Sequence, residues 1–406
     1  MINVIGLGYI GLPTALMLAA HDNEVVGTDI KKEIVDNLKG KKLTFEEQGM
    51  EELFKTALSK KIRFETAPVA TDFYIITTPT PYDAKTKKID CSYVINALKS
   101  VLPVALEHAV IVVESTVSPG SMDNFIRPVV EEYMSNSGKT IHLAHAPERI
   151  IPGNMVHELL TNARTIGADD ETVGEKVKQI YTSFCQGEIS LTDIKTAEMT
   201  KVVENTFRDI NIAFANELAK ICREANMNVH EVIRIANKHP RVNILSPGPG
   251  VGGHCISVDP WFLVGEYPYL TKLIYQARQI NDSMPEFVLR RIGEIMEKHD
   301  LHDFSRVGLY GLTYKENVDD IRESPTLQLL ESMKNHLATG LKVYDPMVKR
   351  ELVQNQYHDL DAFLKDVDLL VLMVGHDEIK KNFSKLNGKI ILDTRNIFPL
   401  EGCYTL

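Results

Sequence analysis

Short apolar runs separated by turn residues mark the start of the chain: INVI (2–5), the glycine turn GLGYIG (6–11), the apolar LPTALMLAAH (12–21) and EVVGTDI (24–30). β-Branched residues in the first and last runs predict strands, and the run between them has the length of a helix, so the chain opens as a βαβ unit. Further runs at FYIITT (73–78), AVIVVES (109–115) and IHLAHAP (141–147), separated by helical stretches, continue the alternation. A parallel doubly wound sheet is the expected result.

From Thr196 to Ala225 the sequence contains no glycine, and its apolar positions Val202, Val203, Phe207, Ile210, Ala213, Phe214, Leu218 and Ile221 follow helical spacing. This predicts one long central helix. A shorter helix near 229–237, the Pro/Gly-rich SPGPGVGG (246–253) and a helical region over 268–298 follow. Strand-like runs then return at RVGLYGL (306–312), LKVYDP (341–346), DLLVLMV (368–374) and KIILDTR (389–395), with a helical 325–338 between the first two. The expected fold is α/β, with two Rossmann-like doubly wound domains joined by a long central helix. The expected segments are 1–185, 186–298 and 299–406. The two α/β ends resemble each other only in pattern, and no solenoid repeat is present.

A chain of 406 residues, 44% hydrophobic and 25% charged, has the length to bury its cores without disulfide or metal staples. Its net charge of −10 opposes bulk attraction to nucleic acid or anionic lipid, so an anionic ligand must be met by local basic groups. The five cysteines are scattered, with no C-x-x-C and no histidine spacing suited to zinc, which predicts no metal site and a reducing compartment. The first apolar stretch lacks a basic leader and is broken by Gly6, Gly8, Gly11 and Pro13, so it reads as strand and helix rather than a signal peptide or membrane span. A cytoplasmic protein without a nucleic-acid or membrane partner is expected.

Gly6, Gly8 and Gly11 form G-x-G-x-x-G between a strand and a helix, where backbone N–H groups and the helix N-terminus approach a pyrophosphate. Asp29 ends the next strand, where a carboxylate accepts from ribose hydroxyls and repels a 2′-phosphate. NAD is favoured over NADP on this ground; Lys31 and Lys32 are either solvated or the counterweight to that preference. A second candidate is Cys255, presented at the end of a loop shaped by Gly248, Gly250, Gly252 and Gly253. The shaped loop points to a nucleophile, whereas Cys91, Cys185, Cys222 and Cys403 read as buried and inert. Asp259, four residues on, either orders a water and exchanges a proton or caps a helix. On the long helix, Lys201, Asn205 and Arg208 fall at i, i+4 and i+7 and share a face. That stripe either stabilises charge on an oxygen or is a solvated face with Glu204 and Arg208 paired.

These residues carry a resemblance. GLGYIGLPT, ESTVSPG (114–120), APERIIPG (146–153), AEMTKVVENTFRDINIAFANE (197–217), NKHPRVNI (237–244), GPGVGGHC with VDPWF, and GLTYK with VDDIRESP (311–325) together resemble the UDP-glucose/GDP-mannose dehydrogenase family over essentially the whole chain. Within it the blocks are most similar to the UDP-N-acetylmannosamine enzymes.

The resemblance implies an N-terminal NAD domain, a central dimerisation region bearing catalytic residues and a C-terminal UDP-sugar domain, working as a homodimer. It implies NAD-dependent four-electron oxidation of the sugar C6 hydroxymethyl of UDP-N-acetylmannosamine to the uronate through a thiohemiacetal and a thioester on Cys255. The same chemistry on UDP-glucose, UDP-N-acetylglucosamine or UDP-N-acetylgalactosamine is the alternative within the class, and a catalytically silent nucleotide-sugar-binding protein the alternative outside it. By resemblance, Lys201 and Asn205 stabilise oxyanions, Asp259 supports proton transfer, and Thr116 and Glu148 position water and cofactor. Where the UDP-glucose enzymes carry a second carboxylate beyond the Pro-Glu pair, this chain has Ile151 and Pro152. Tyr9, Ile10, Thr80, Thr116 and Arg322 match cofactor contacts, Arg322 having Asp319 or Asp320 as its alternative partner. Arg149, Ile150, Lys201, Asn205, Arg208, His239, Arg241, Gly252, Tyr314, Lys315 and Arg395 match substrate contacts. Asp345 reads either as a ligand-hydroxyl acceptor or as a plain strand-end turn.

Overall fold

The computed structural model describes residues 1–253, 255–335, 340–398 and 402–406. His254, adjacent to Cys255 in the sequence, lies outside the described residues. The chain forms two compact units, one of residues 1–204 with 261–268 and the other of 205–260 with 269–406. The predicted long helix spans Ile194–Glu224 and continues from the first unit into the second.

In the first unit the strands are β1 (Ile2–Ile5), β2 (Val25–Thr28), β3 (Ile62–Glu65), β4 (Phe73–Ile76), β5 (Ala109–Val113), β6 (Ile141–His145), β7 (Arg164–Ala168) and β8 (Ile189–Thr192), in the spatial order β3-β2-β1-β4-β5-β6-β7-β8. The order reverses between β1 and β4, the place where a doubly wound sheet opens a crevice at its strand C-termini. Side chains alternate between two cores: Phe73, Ile75, Val110 and Val112 join one, while Tyr74, Ile76, Ile111 and Val113 join the other. Both faces are therefore covered, and the strands need no polar positions. Helix Gly11–Ala20 packs in the first of these cores and is buried from Gly11 to Ala19, which accounts for its all-round apolar sequence.

One feature departs from a wholly parallel sheet. Strand β7 runs antiparallel to β6, and β8 runs parallel to β7. Between β6 and β7 the chain has only loop and the short helix Met155–Thr161, so no crossover returns it to the starting edge and β7 runs back. Helix Glu171–Thr182 then supplies the crossover from β7 to β8.

The second unit holds β9 (Val307–Tyr310), β10 (Lys342–Tyr344), β11 (Gln356–Tyr357), β12 (Leu369–Leu372) and β13 (Ile390–Asp393), parallel throughout and ordered β11-β10-β9-β12-β13. Val307, Leu309, Leu369 and Val371 face a core shared with Ala215, Ala219 and Cys222 of the long helix and with Val288 and Ile292; Tyr310, Leu370 and Leu372 face the other. The helical region over 268–298 consists of two helices, Lys272–Asp282 and Met284–Lys298. Pro285 sits in the first turn of the second, where its missing N–H costs nothing.

Candidate active site

In the first unit the G-x-G-x-x-G turn is built as its sequence requires. A Cβ on Gly11 would lie 1.9 Å from the Gly6 carbonyl oxygen and 2.2 Å from Thr77 Oγ1, so any larger residue there collides with backbone. A Cβ on Gly8 would meet nothing within 4 Å. Gly11 is thus a glycine for packing, and Gly8 borders open space at the N-terminus of helix Gly11–Ala20. Thr77, which sequence reasoning passed over, donates its hydroxyl to the carbonyls of Ile5 and Gly6 and pins the turn.

Asp29 accepts the Leu7 amide on one carboxylate oxygen and the Lys31 amide on the other, both at 2.8 Å. This fixes the carboxylate beside the turn while leaving lone pairs for ribose hydroxyls. Lys32 is engaged by Asp36 at 2.9 Å on the exposed face. Tyr9 lies against Phe45, with ring centroids 4.4 Å apart. Thr80 donates to the Thr116 carbonyl at 2.7 Å, joining the ends of β4 and β5. The open position at Gly8, the fixed acid and the helix N-terminus fit a dinucleotide carrying a free 2′-hydroxyl.

Also in the first unit, a buried charge network holds the 114–120 and 146–153 segments. Arg164, at the start of β7, has a side chain only 4% exposed; it pairs with Glu148 through one terminal nitrogen and with Glu114 at 3.3 Å through the other. Its guanidinium lies over the Tyr181 ring at 4.5 Å, and the Tyr181 hydroxyl donates to Glu114 at 3.2 Å. Burial pushes Glu114 up to about 7, with Arg164 opposing that rise and Glu148 adding to it. The other oxygen of Glu148 accepts the amides of Arg149 (2.6 Å) and Ile150 (3.2 Å). Glu148 therefore shapes its own loop. Arg149 donates to the Ala163 carbonyl and to Thr165, and pairs with Glu204 at 2.5 Å. Glu204 is thus paired with Arg149, leaving Arg208 exposed and without an ion pair among the described residues. A lone arginine at a strand start gave no sequence signal for Arg164.

Lys201 is buried, 6% exposed, and forms no ion pair among the described residues. A buried cation without a carboxylate is a place for ligand charge. Glu198, one turn earlier, accepts the amides of Gly120 (2.6 Å) and Met122 (2.7 Å) and so holds the loop that follows Thr116.

The second unit contains the cysteine loop. A Cβ on Gly252 would fall 2.5 Å from Tyr314 Cβ and 2.6 Å from the Glu323 carbonyl, so this glycine exists because two backbones touch. The Gly253 amide donates to the Arg322 carbonyl at 2.9 Å, and the Val258 and Asp259 amides close on the Cys255 carbonyl at 3.1 and 2.8 Å. Cys255 is half-buried at the end of this loop and Cys91, Cys185 and Cys222 are buried, whereas Cys403, read from the sequence as buried, is half-buried because it packs against the edge of a core from the loop after β13. Asp259 opens helix Asp259–Glu266 and is buried; its carboxylate accepts the Asn205 amide nitrogen at 2.6 Å. One turn before Asn205 on the same helix stands Lys201.

Arg322 grips Asp320 through Nε and a terminal nitrogen, at 2.6–3.1 Å, so of its two alternative acidic partners Asp320 is engaged. Tyr314 and Lys315 are half-buried on the segment after β9; Tyr314 donates its amide to the Asp320 carbonyl. The Arg395 guanidinium stands 2.8 Å from where a Cβ on Gly248 would be. His239 and Arg241 are exposed, the His239 ring accepting the Arg241 amide at 3.3 Å. Asp345 is saturated by the amides of Leu312, Thr313 and Met347 and by buried His376, which realises the turn reading. No helix among the described residues is long and apolar enough to cross a membrane, and no metal-ligating cluster is found among them.

Profiles of the UDP-glucose/GDP-mannose dehydrogenase family match three segments: its NAD binding domain at residues 1–185, its central domain at 195–283 and its UDP binding domain at 308–399. The chain is 44% identical to a UDP-N-acetyl-D-mannosamine dehydrogenase of Methanocaldococcus jannaschii, covering 98% of this chain and 92% of the relative. It is 38% identical to an NDP-N-acetyl-D-galactosaminuronic acid dehydrogenase of Ralstonia nicotianae, over 98% and 96%. Among solved structures, the native UDP-N-acetyl-mannosamine dehydrogenase of Staphylococcus aureus superposes with a TM-score of 0.88 at 42% identity, covering all of this chain and 97% of that one.

Proposed function

For a chain that belongs to the UDP-glucose/GDP-mannose dehydrogenase family, and is therefore an NAD-dependent oxidoreductase of nucleotide sugars, we propose that the reaction is the four-electron oxidation of UDP-N-acetylmannosamine to UDP-N-acetylmannosaminuronate. Residues 1–185 bind NAD, 186–298 carry catalytic groups and the dimer contact, and 299–406 bind the UDP moiety. Residues 1–185 would hold NAD so that it could supply the hydride acceptor for each of two oxidations at C6.

The chain's own residues account for the remaining chemistry. After the first oxidation the Cys255 sulfur adds to the C6 aldehyde; an S–C bond forms, and the oxygen gains a proton as a thiohemiacetal. Loss of the second hydride and of that proton leaves a thioester. Water then adds to the carbonyl, the S–C bond breaks, and the thiol and a carboxylate are released with one proton. Asn205 has a second amide hydrogen beyond the one given to Asp259, and with Lys201 it stabilises charge on the C6 oxygen. Asp259 exchanges protons with a water molecule, while Glu148 and Thr116 position water and cofactor. Tyr9, Ile10, Thr80 and Arg322 contact the cofactor. Arg149, Ile150, Arg208, His239, Arg241, Gly252, Tyr314, Lys315 and Arg395 bind the nucleotide sugar, the basic ones meeting its pyrophosphate.

The observation that carries this reading is the 2.6 Å contact between Asn205 and Asp259, which ties the long helix to the helix opening four residues after Cys255. Five free cysteines support action in a reducing cytoplasm. The N-acetylmannosamine preference is supported by the archaeal and staphylococcal relatives; the Ralstonia relative keeps an N-acetylgalactosamine substrate as a second reading. Incubation with NAD and a panel of UDP-sugars decides both. The expected result is two NADH per sugar consumed, greatest with UDP-N-acetylmannosamine. One NADH per sugar refutes the four-electron route, and none makes the chain a silent binder. Cys255→Ser is expected to abolish uronate formation with sugar binding nearly intact; unchanged uronate output refutes the covalent route.

A further inference from the structure

We propose that Arg322 is the cation that favours the thiolate of Cys255, a role additional to any contact it makes with the cofactor. The inference deepens the covalent reading above and rests on it.

The two side chains leave backbones that are fastened together. The Gly253 amide donates to the Arg322 carbonyl at 2.9 Å, two residues before the thiol. At the neighbouring position, Gly252 is so close to the Glu323 carbonyl that no Cβ fits. The guanidinium is held by Asp320, which is buried and takes both Nε and a terminal nitrogen. A bidentate grip of this kind fixes the plane of the guanidinium and the placement of its charge.

The segment after β9 that lies against the Cys255 loop carries Arg322, Asp320 and Tyr314, and Asp259 opens the helix that follows the loop. Of these groups Arg322 is the cation. Its own proton is held more firmly than in an ordinary arginine: burial works against the charge, Asp320 outweighs burial through hydrogen bond and charge, and Cys255 and Tyr314 add in the same direction. Coupling between two titrating groups is reciprocal. If a charged Cys255 stabilises protonated Arg322, then Arg322 stabilises the thiolate to the same extent. Asp320 and Asp259, as acids, act in the opposite sense, and a cation near a thiol favours its thiolate.

The test measures the thiol directly in the purified, cofactor-free protein. Alkylation of Cys255 by iodoacetamide is followed across pH by mass spectrometry of its peptide, which separates it from the other four cysteines. In Arg322→Gln the pH midpoint of alkylation is expected to rise by about one unit, the low end of what a near charge does. Arg322→Lys, which keeps the charge, is expected to restore most of the shift and guards against mere loss of loop shape. Coincident midpoints in wild type and Arg322→Gln overturn the proposal, as does a midpoint in Arg322→Lys as high as in Arg322→Gln. Failure here leaves uronate formation dependent on Cys255, whereas failure of the covalent reading shows as uronate made by Cys255→Ser, so the two are told apart.

Discussion

Glu198 sits fully buried on the long helix and spends its carboxylate on the backbone amides of Gly120 and Met122, yet burial still pushes it up to about 7 from an ordinary 4.5. An acid raised in the folded state binds more protons folded than unfolded between those two values. Its contribution to stability is therefore complete below about pH 4.5 and is lost as pH rises through 7. Glu114, raised for the same reason, acts in the same direction. Thermal midpoints measured from about pH 5 to about pH 8 should decline for the wild type and decline less steeply for Glu198→Gln; parallel slopes would remove Glu198 from the account. Neither acid was legible beforehand, although both lie within segments that carry the family resemblance. Spacing along a helix shows which residues share a face, so Lys201 and Asn205 stood out. The partner amides of Glu198 and the Arg164 that joins Glu114 to Glu148 lie far off in sequence and come close only through the sheet.

At the scale of elements, the turn between β1 and helix Gly11–Ala20 separates two demands that the motif merges. Gly11 is needed so that the helix can approach the strand end, and Gly8 borders space that a ligand would use. Gly11→Ala should cost roughly 3 kcal/mol, the upper end of overpacking penalties, read as a lowered denaturant midpoint. Gly8→Ala should leave that midpoint in place and weaken NAD binding about tenfold by titration calorimetry, about 1.4 kcal/mol. Equal losses of stability in both variants would show Gly8 to be a packing residue too. Elements with continuous apolar runs were readable, since β1, β4, β5 and β12 are covered on both faces. Strands β3 and β8 escaped notice because, at the sheet edges, they are only partly buried and keep polar positions. The reversal at β7 was hidden for another reason: strand direction depends on whether the connection crosses the sheet, and nothing in the composition of β7 records that.

At the scale of the molecule, the two sheets share more than a pattern. Gly6-Leu7-Gly8-Tyr9 follows β1 and Gly311-Leu312-Thr313-Tyr314 follows β9; in each the leucine amide donates to an aspartate ending the adjacent strand, Asp29 or Asp345. The difference is in what remains free. Thr313 replaces the open Gly8 and is buried against His376, and Asp345 is saturated, so the second sheet keeps the geometry of a dinucleotide turn without its vacancy. The long helix also carries an unsatisfied surface: Val203, Phe207, Phe214 and Ile221 are exposed at spacings of four, seven and seven, one apolar seam along a 31-residue helix. Phe207, 66% exposed, is the most exposed residue of that seam. Such a seam is what two helices bury against each other, and we propose the same seam of a second copy as its occupant. The homodimer proposed above then uses this face. Phe207→Glu would place two charges in the contact, and sedimentation velocity should convert from a dimer boundary to a monomer at micromolar protein while circular dichroism stays unchanged. An undisturbed dimer in that variant would assign the seam to another partner, and a monomeric wild type would remove the homodimer itself.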